Sequence, residues 1–323
     1  ARSLSANLEF GFREIPTCVG GHIFAILPMA HMFGQAFDVI FPLSSGCHVH
    51  VMPGKPTPAR LLAGLGAVKP FMFMTVPMVI EKIFKSKVFP ATRKFPAKLL
   101  LKIPGLDKLV LNKIRKSLLD AFGNGFTTGV IIGGAALNRE VEDLLNRMKF
   151  PYVVGYGMTE CGPLISYRDK SEYVKYSCGT NAHPIEIRID SANPRRVLGE
   201  IQVKGDAVML GYYNNEEATK AAFTSDGWLR TGDMGVFDNK ANLYIKGRCK
   251  NMILTGSGQN IYPEEIEDKI NNLPYVIESL VVGRKNAIVA LVVADYEAGK
   301  KDGLDEKALE KLVDENILAL NTE

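Results

Sequence analysis

The polar side chains most able to do chemistry in this chain sit among glycines. Tyr152-Val153-Val154 reads as a buried strand that breaks into Gly155-Tyr156-Gly157-Met158-Thr159-Glu160-Cys161-Gly162-Pro163. Glycines let backbone N–H groups approach a ligand closely, or take positive φ. A hydroxyl such as that of Thr159 can donate to a phosphate oxygen, and Glu160 offers a hard oxygen ligand suited to Mg²⁺. Further on, Asp226-Gly227-Trp228-Leu229-Arg230-Thr231-Gly232-Asp233 puts a carboxylate just past a glycine, and Arg248 brings a guanidinium fifteen residues later. Ser257-Gly258-Gln259-Asn260-Ile261-Tyr262-Pro263-Glu264-Glu265 then opens a helix from a glycine loop. Each group also has a plain structural reading. Asp233 could cap a turn, Arg248 could sit on the surface, and Thr159–Glu160 could start a helix. His31 could be satisfied in a core, and Trp228 could simply pack.

The elements around these groups alternate. His22 to Leu27 reads as a strand, followed by a Met/Phe-rich helix from His31, a strand from His48 to Met52, a helix from Arg60 to Val68 and a strand from Phe71 to Thr75. Strands and helices taking turns predict a mainly parallel α/β sheet. Gly129 to Ile132 is a further strand, ending in Gly133-Gly134-Ala135-Ala136. Asn138 then caps a helix whose apolar residues Val141, Leu144, Leu145 and Met148 share one face. From Ser177 the pattern changes to period two, as in Ile185 to Ile189 and Glu200 to Lys204, which predicts an antiparallel, barrel-like sheet. A small unit follows, with a helix from Pro263 and a hairpin of Ser279–Val282 with Ala287–Val293. The expected fold class is α/β: a parallel α/β sheet part over 1–176, a β-barrel-like part over 177–249 and a small α+β C-terminal domain over 250–323.

With 323 residues, 46% hydrophobic and 23% charged, the chain can bury a sizeable core and form two or three domains. Its five cysteines form no C-x-x-C pair and no disulfide-like spacing, which suits a reducing, cytoplasmic setting. No apolar run is long enough to span a bilayer. The net charge of +4 is unevenly spread: eleven Lys or Arg and one acid, Asp107, lie between Lys82 and Lys116. Phe84, Phe89, Phe95, Leu99, Leu100, Leu101 and Ile103 are interleaved with them. Such a segment can form a solvated helical hairpin or make peripheral contact with an anionic membrane. Nucleic acid is not an expected partner, because the charge is local and no reader motif accompanies it.

Four stretches in order, Gly155 to Glu160, Leu229 to Asp233, Gly247 to Arg248 and Gly256 to Glu267, give the chain a marked resemblance to the adenylate-forming superfamily. That superfamily contains acyl-CoA synthetases, luciferases and the adenylation domains of peptide synthetases, and the resemblance covers nearly the whole chain. It implies roles residue by residue. Gly134, Ala135 and Ala136 match a strand-end loop bordering adenine and acyl group, and Tyr156, with Gly157 and Met158 beside it, matches the aromatic against adenine. Thr159 matches the hydroxyl on the phosphates, and Glu160 the Mg²⁺ ligand. Asp233 matches the acid that holds both ribose hydroxyls, with Arg248 as its partner, and Lys250 matches the hinge. His31 resembles an aromatic gate between nucleotide and acyl pocket. Gly256, Ser257 and Gly258 resemble the loop that meets the thiol acceptor. The implied co-substrates are ATP, released as AMP, and coenzyme A.

Within the superfamily, Tyr156 to Leu164 and the basic segment look most like long-chain fatty acyl-CoA ligases, with Gly133 and Gly134 leaving room for an acyl tunnel. A fatty acid is then the expected acid. Transfer to a carrier-protein phosphopantetheine, or a non-catalytic acyl- or nucleotide-binding module, are the other readings. The resemblance also implies a phosphate loop upstream of Ala1 and an adenylation lysine after Glu323. Lys307 and Lys311 lie in an amphipathic helix and do not match that lysine. The chain alone is therefore expected to turn over ATP very poorly.

Overall fold

Side chains that alternate along each strand decide the two faces of the main sheet. The computed structural model describes residues 1–54, 56–254, 260–284 and 287–320. Strands β1 (His22–Ala25), β2 (His48–Val51), β3 (Met72–Thr75), β4 (Gly129–Ile132) and β5 (Tyr152–Val154) pair in parallel in the order β2-β1-β3-β4-β5. Strands β3, β4 and β5 are buried along their whole length, as happens when both faces of a parallel sheet are covered. Ile23, Met72, Met74, Ile131 and Val153 pack to one side with Phe10, Phe37 and Phe41. Phe24, Phe73, Val130, Ile132 and Val154 pack to the other with Leu65, Ile83, Leu118, Val141 and Leu145. Asn138 caps the helix Arg139–Arg147 as expected, its side chain accepting from the Val141 N–H at 3.2 Å.

The helix expected from His31 starts later. Pro28 to His31 form a turn, closed by the His31 N–H on the Pro28 carbonyl at 3.0 Å, and a π-helical stretch runs Gly34–Ile40. Asp38 in that stretch is fully buried and accepts from the Ile26 and Leu27 N–H groups at 3.2 and 3.1 Å. It thereby ties the stretch to the carboxyl end of β1. Burial pushes the Asp38 carboxyl up to about 7, against those two bonds.

The basic segment is neither a simple hairpin nor one amphipathic helix. It breaks into Phe89–Arg93, Ala97–Leu100 and Leu106–Ala121. Pro96 and Pro104 fall at the two breaks, since proline cannot continue a preceding helix but readily starts the next, whereas Pro90 lies within a helical run that is continuous from Pro77. Its apolar residues divide accordingly: Phe84, Phe89, Leu111 and Leu118 enter the core, while Phe95, Leu99, Ile103 and Leu109 are exposed. Among the described residues no helix is long and apolar enough to cross a membrane.

Beyond the parallel sheet, β6 (Tyr156–Gly157), β7 (Leu164–Tyr167) and β8 (Thr180–Asn181) form a three-stranded sheet. Strands β9 (Glu186–Asp190), β10 (Gly199–Lys204), β11 (Leu229–Phe237) and β12 (Leu243–Arg248) form an antiparallel sheet in the linear order β12-β11-β10-β9. Period-two alternation predicted its buried face; the alternation carries no information on whether the edges meet, and here β9 and β12 are edges. The remaining described residues hold the short pair β13 (Ile253–Leu254) and β14 (Asn260–Ile261), the helix Pro263–Ile270 and the hairpin β15 (Val276–Arg284) and β16 (Ala287–Ala294). Ile270, Val276, Val281 and Val313 give this part its own small core.

Candidate active site

The carboxyl ends of β4 and β5 open into a cleft of about 800 Å³. Crevices beyond the carboxyl ends of parallel strands are the usual ligand positions in open α/β sheets. Gly133 and Gly134 after β4, and Gly155 to Glu160 after β5, form its floor. Gly157 can only be glycine, because a Cβ there would lie 2.2 Å from the Pro163 carbonyl oxygen. This close approach lets the chain turn back into β7 and leaves Met158 and Thr159 facing the cleft.

Asp233 is not itself in the lining of this cleft; the register of the antiparallel sheet sets it just behind the wall, against the lining residues Tyr156 and Arg248. Along β11, Leu229, Thr231 and Asp233 fall on the buried face, and Asp233 stands opposite Arg248 on β12. Its Oδ2 accepts the Tyr156 hydroxyl at 2.6 Å, and its Oδ1 lies 3.1 Å from Arg248 Nε. A carboxylate has about four lone-pair positions, so both oxygens retain acceptor capacity toward a ligand diol. Burial raises the Asp233 carboxyl above its ordinary value, while the Tyr156 hydroxyl and the Arg248 charge pull it back. Burial and the neighbouring carboxylate hold the Tyr156 hydroxyl protonated, well above the usual tyrosine range. The Arg248 side chain is 68% exposed, so its ion pair is largely screened and the buried Tyr156 bond is the stronger hold on Asp233.

Glu160 lines the same cleft and accepts the Tyr212 hydroxyl at 2.9 Å. Among the described residues no three His, Cys, Asp or Glu side chains converge as a metal cage. A single carboxylate fits Mg²⁺ nonetheless, since that ion is commonly held by one or two carboxylates, substrate phosphates and water.

The structure thus brings His31, Gly134, Tyr156, Gly157, Met158, Thr159, Glu160, Arg248 and Lys250 to one cleft, with Asp233 bonded at its wall. Ala135 and Ala136 are exposed and lie outside the lining, as the chain turns away toward the Asn138 cap. Gly256, Ser257 and Gly258 fall outside the described residues. The space expected beside Gly133 is already taken: Phe33 packs there, with its Cε1 3.3 Å from where a Cβ would stand. The flank of Gly134 is open, with only Val76 Cγ1 at 3.7 Å. His31 is exposed, and its Nδ1 accepts from the Phe33 N–H at 3.2 Å. Phe33, Tyr212 and the pair Arg230–Glu200, 2.8 Å apart, were not singled out from sequence. Phe33 stands two residues from His31, and Arg230 lies inside the stretch that ends at Asp233, so proximity was their only signal; Tyr212 gave none.

A family profile described as "AMP-binding enzyme" matches residues 2–213. The chain belongs to the AMP-binding enzyme family. It is 30% identical over 307 residues to the long-chain-fatty-acid–CoA ligase FadD15 of Mycobacterium bovis, covering 86% of this chain and 48% of that protein. It is 26% identical over 326 residues to 4-coumarate–CoA ligase 2 of Oryza sativa subsp. japonica, covering 97% of this chain and 50% of that one. Among solved structures, ATP-bound MatB from Rhodopseudomonas palustris superposes with a TM-score of 0.72 at 24% identity, over 97% of this chain and 57% of the other. O-succinylbenzoate–CoA synthetase (MenE) of Bacillus subtilis, in complex with AMP, gives a TM-score of 0.72 at 22% identity, with coverage of 97% and 58%. These two likenesses show an acyl-CoA synthetase-like fold for this member of the AMP-binding family. The chain spans about half the length of the curated relatives it matches.

Proposed function

We propose that this chain is part of an acid–thiol ligase. The whole enzyme would activate a carboxylic acid with ATP as an acyl-adenylate, then pass the acyl group to the thiol of coenzyme A. The observation that carries the reading is the convergence on one cleft of the Asp233–Arg248–Tyr156 set and Glu160. Asp233 presents two acceptor oxygens to a vicinal diol, as a ribose requires, with Tyr156 below it. Thr159 and Glu160 stand at the far side of the glycine loop, where phosphates would lie. Mg²⁺ held at Glu160 would offset phosphate charge when bound. The chain's own residues orient the nucleotide and shelter the reacting carboxyl from water.

A long-chain fatty acid is the proposed acid, supported by the likeness to FadD15 and by the open flank at Gly134; the 4-coumarate ligase likeness favours an aryl acid instead. Fatty acid drawn from a membrane by way of the exposed Phe95, Leu99 and Leu109 extends the first reading. The proposed mobile unit begins at Lys250, on the cleft rim, which suits a hinge between half-reactions. On this reading the 323-residue chain, without the phosphate loop and adenylation lysine of the superfamily, binds nucleotide but releases pyrophosphate very slowly.

Calorimetry with stable acyl-sulfamoyl-adenosine analogues tests this. Binding by the wild-type chain that Asp233→Ala removes is the expected outcome; no binding by either overturns the assignment. A palmitoyl analogue binding more tightly than a p-coumaroyl analogue supports the fatty acid, and the reverse order removes it.

A further inference from the structure

A second cavity opens at the opposite end of the sheet, where β5 begins. It has a volume of about 470 Å³ and is lined by Arg115, Asn124, Asn146, Lys149 and Lys170 among aromatic side chains. No carboxylate stands in that lining. Three residues of β5, roughly 10 Å of extended chain, separate it from the glycine loop of the cleft, so it is not part of the nucleotide site.

Three cations share this lining: Arg115 is half-buried, and Lys149 and Lys170 are exposed. The Nε of Arg115 is buried and makes no hydrogen bond, and neither Arg115 nor Lys149 forms an ion pair with a described residue. Lys170 donates to the Thr127 carbonyl, which holds its ammonium at the cavity wall. The acids nearby already have partners: Asp169, which acts electrostatically on Lys170, accepts from Ser171 Oγ at 2.6 Å. Asp120 accepts from Asn124 Nδ2 at 2.7 Å, and Glu142 accepts the Tyr173 hydroxyl at 2.8 Å and the Tyr152 hydroxyl at 3.3 Å. A buried cationic N–H without an acceptor is costly, and a neighbouring ammonium of like charge adds to that cost.

We infer that this cavity is an anion site for a phosphate-bearing small molecule. A phosphate dianion matches the site in charge and in form. The Nη groups of a guanidinium can donate to phosphate oxygens, while Lys149 and Lys170, both exposed, serve as point charges on the remainder. Phe126, Phe150 and Tyr152 line the same space and leave an apolar wall for the remainder of the molecule. The inference is independent of what occupies the cleft.

Inorganic phosphate is the probe, titrated calorimetrically into the chain with its cleft saturated by AMP and ionic strength held constant with chloride. Wild type binds phosphate, and Arg115→Met and Lys149→Met each weaken that binding about tenfold or more, with AMP affinity unchanged. Asp233→Ala, defective in the cleft, keeps its phosphate binding. Thermal unfolding gives a second readout with a defined sign: in phosphate-free buffer Arg115→Met is as stable as wild type or more so, whereas phosphate raises the Tm of wild type alone. Phosphate that fails to bind wild type, or that binds Arg115→Met and Lys149→Met as tightly as wild type, overturns the assignment.

Discussion

The two ends of the parallel sheet treat charge in opposite ways. At the carboxyl end the acids of the site have partners: the buried Asp233 has Tyr156 and Arg248, and the half-buried Glu160 has Tyr212. At the amino end Arg115 and Lys149 face a cavity with no ion-pair partner among the described residues. The first arrangement is a preorganised site, in which the protein itself satisfies the groups that would hold a ligand. The second is a site whose balance needs something from outside. Burial alone does not distinguish functional from structural charge; the list of partners does.

The comparison breaks most readily at Asp233. Asp233→Ala is expected to lower AMP affinity about 100-fold, the worth of two hydrogen bonds to a charged acceptor at about 1.5 kcal/mol each. Calorimetry measures it, and a change below about threefold would remove Asp233 from the nucleotide site. Next in size is Tyr156→Phe, which leaves one buried carboxylate oxygen without its donor. A stability loss of about 1.5–3 kcal/mol is expected in chemical denaturation. Arg248→Ala should cost less, about 1 kcal/mol at most, because that side chain is mostly in water. If the two variants lost the same stability, the ion pair and not the hydroxyl would be the principal hold.

Asp38 sharpens the contrast through pH. Its folded carboxyl at about 7 lies above the ordinary 3.8, so its folded form binds a proton more tightly than its unfolded form. The stability it contributes is complete below about 4 and is lost as pH rises through about 7. Wild type minus Asp38→Asn should therefore fall across that window, and a flat difference would show that Asp38 does not titrate in it. The smallest effect is expected on the basic segment, where Phe95→Ser should change stability by less than about 0.5 kcal/mol. Phe89→Ala, a few residues away but in the core, should cost about 3–5 kcal/mol. Equal losses would mean that Phe95 packs against something in solution.

Much of this site was legible before any coordinates. The glycines after β5 and the acid of β11 stood out because each lies within a few residues of a recognisable strand end. The motif order added Arg248 and Lys250. The basic segment was less legible: its composition suited one helical surface, but Pro96 and Pro104 stand at its breaks, and Phe84 and Phe89 turn inward while Phe95 is left out. Room at Gly133 was misjudged as well, since the ring that fills it comes from the start of a helix a hundred residues earlier.

Residue order by itself determined the strands, the buried faces and the family, because periodicity and glycine spacing act over a handful of neighbours. Tertiary structure alone decided that the Tyr156 hydroxyl meets Asp233 across 77 residues, that Tyr212 reaches Glu160 across 52, and that Arg115, Lys149 and Lys170 share one cavity. Such meetings depend on sheet order and on where crossover helices return the chain. Those are set by packing among distant segments, and no local pattern encodes them.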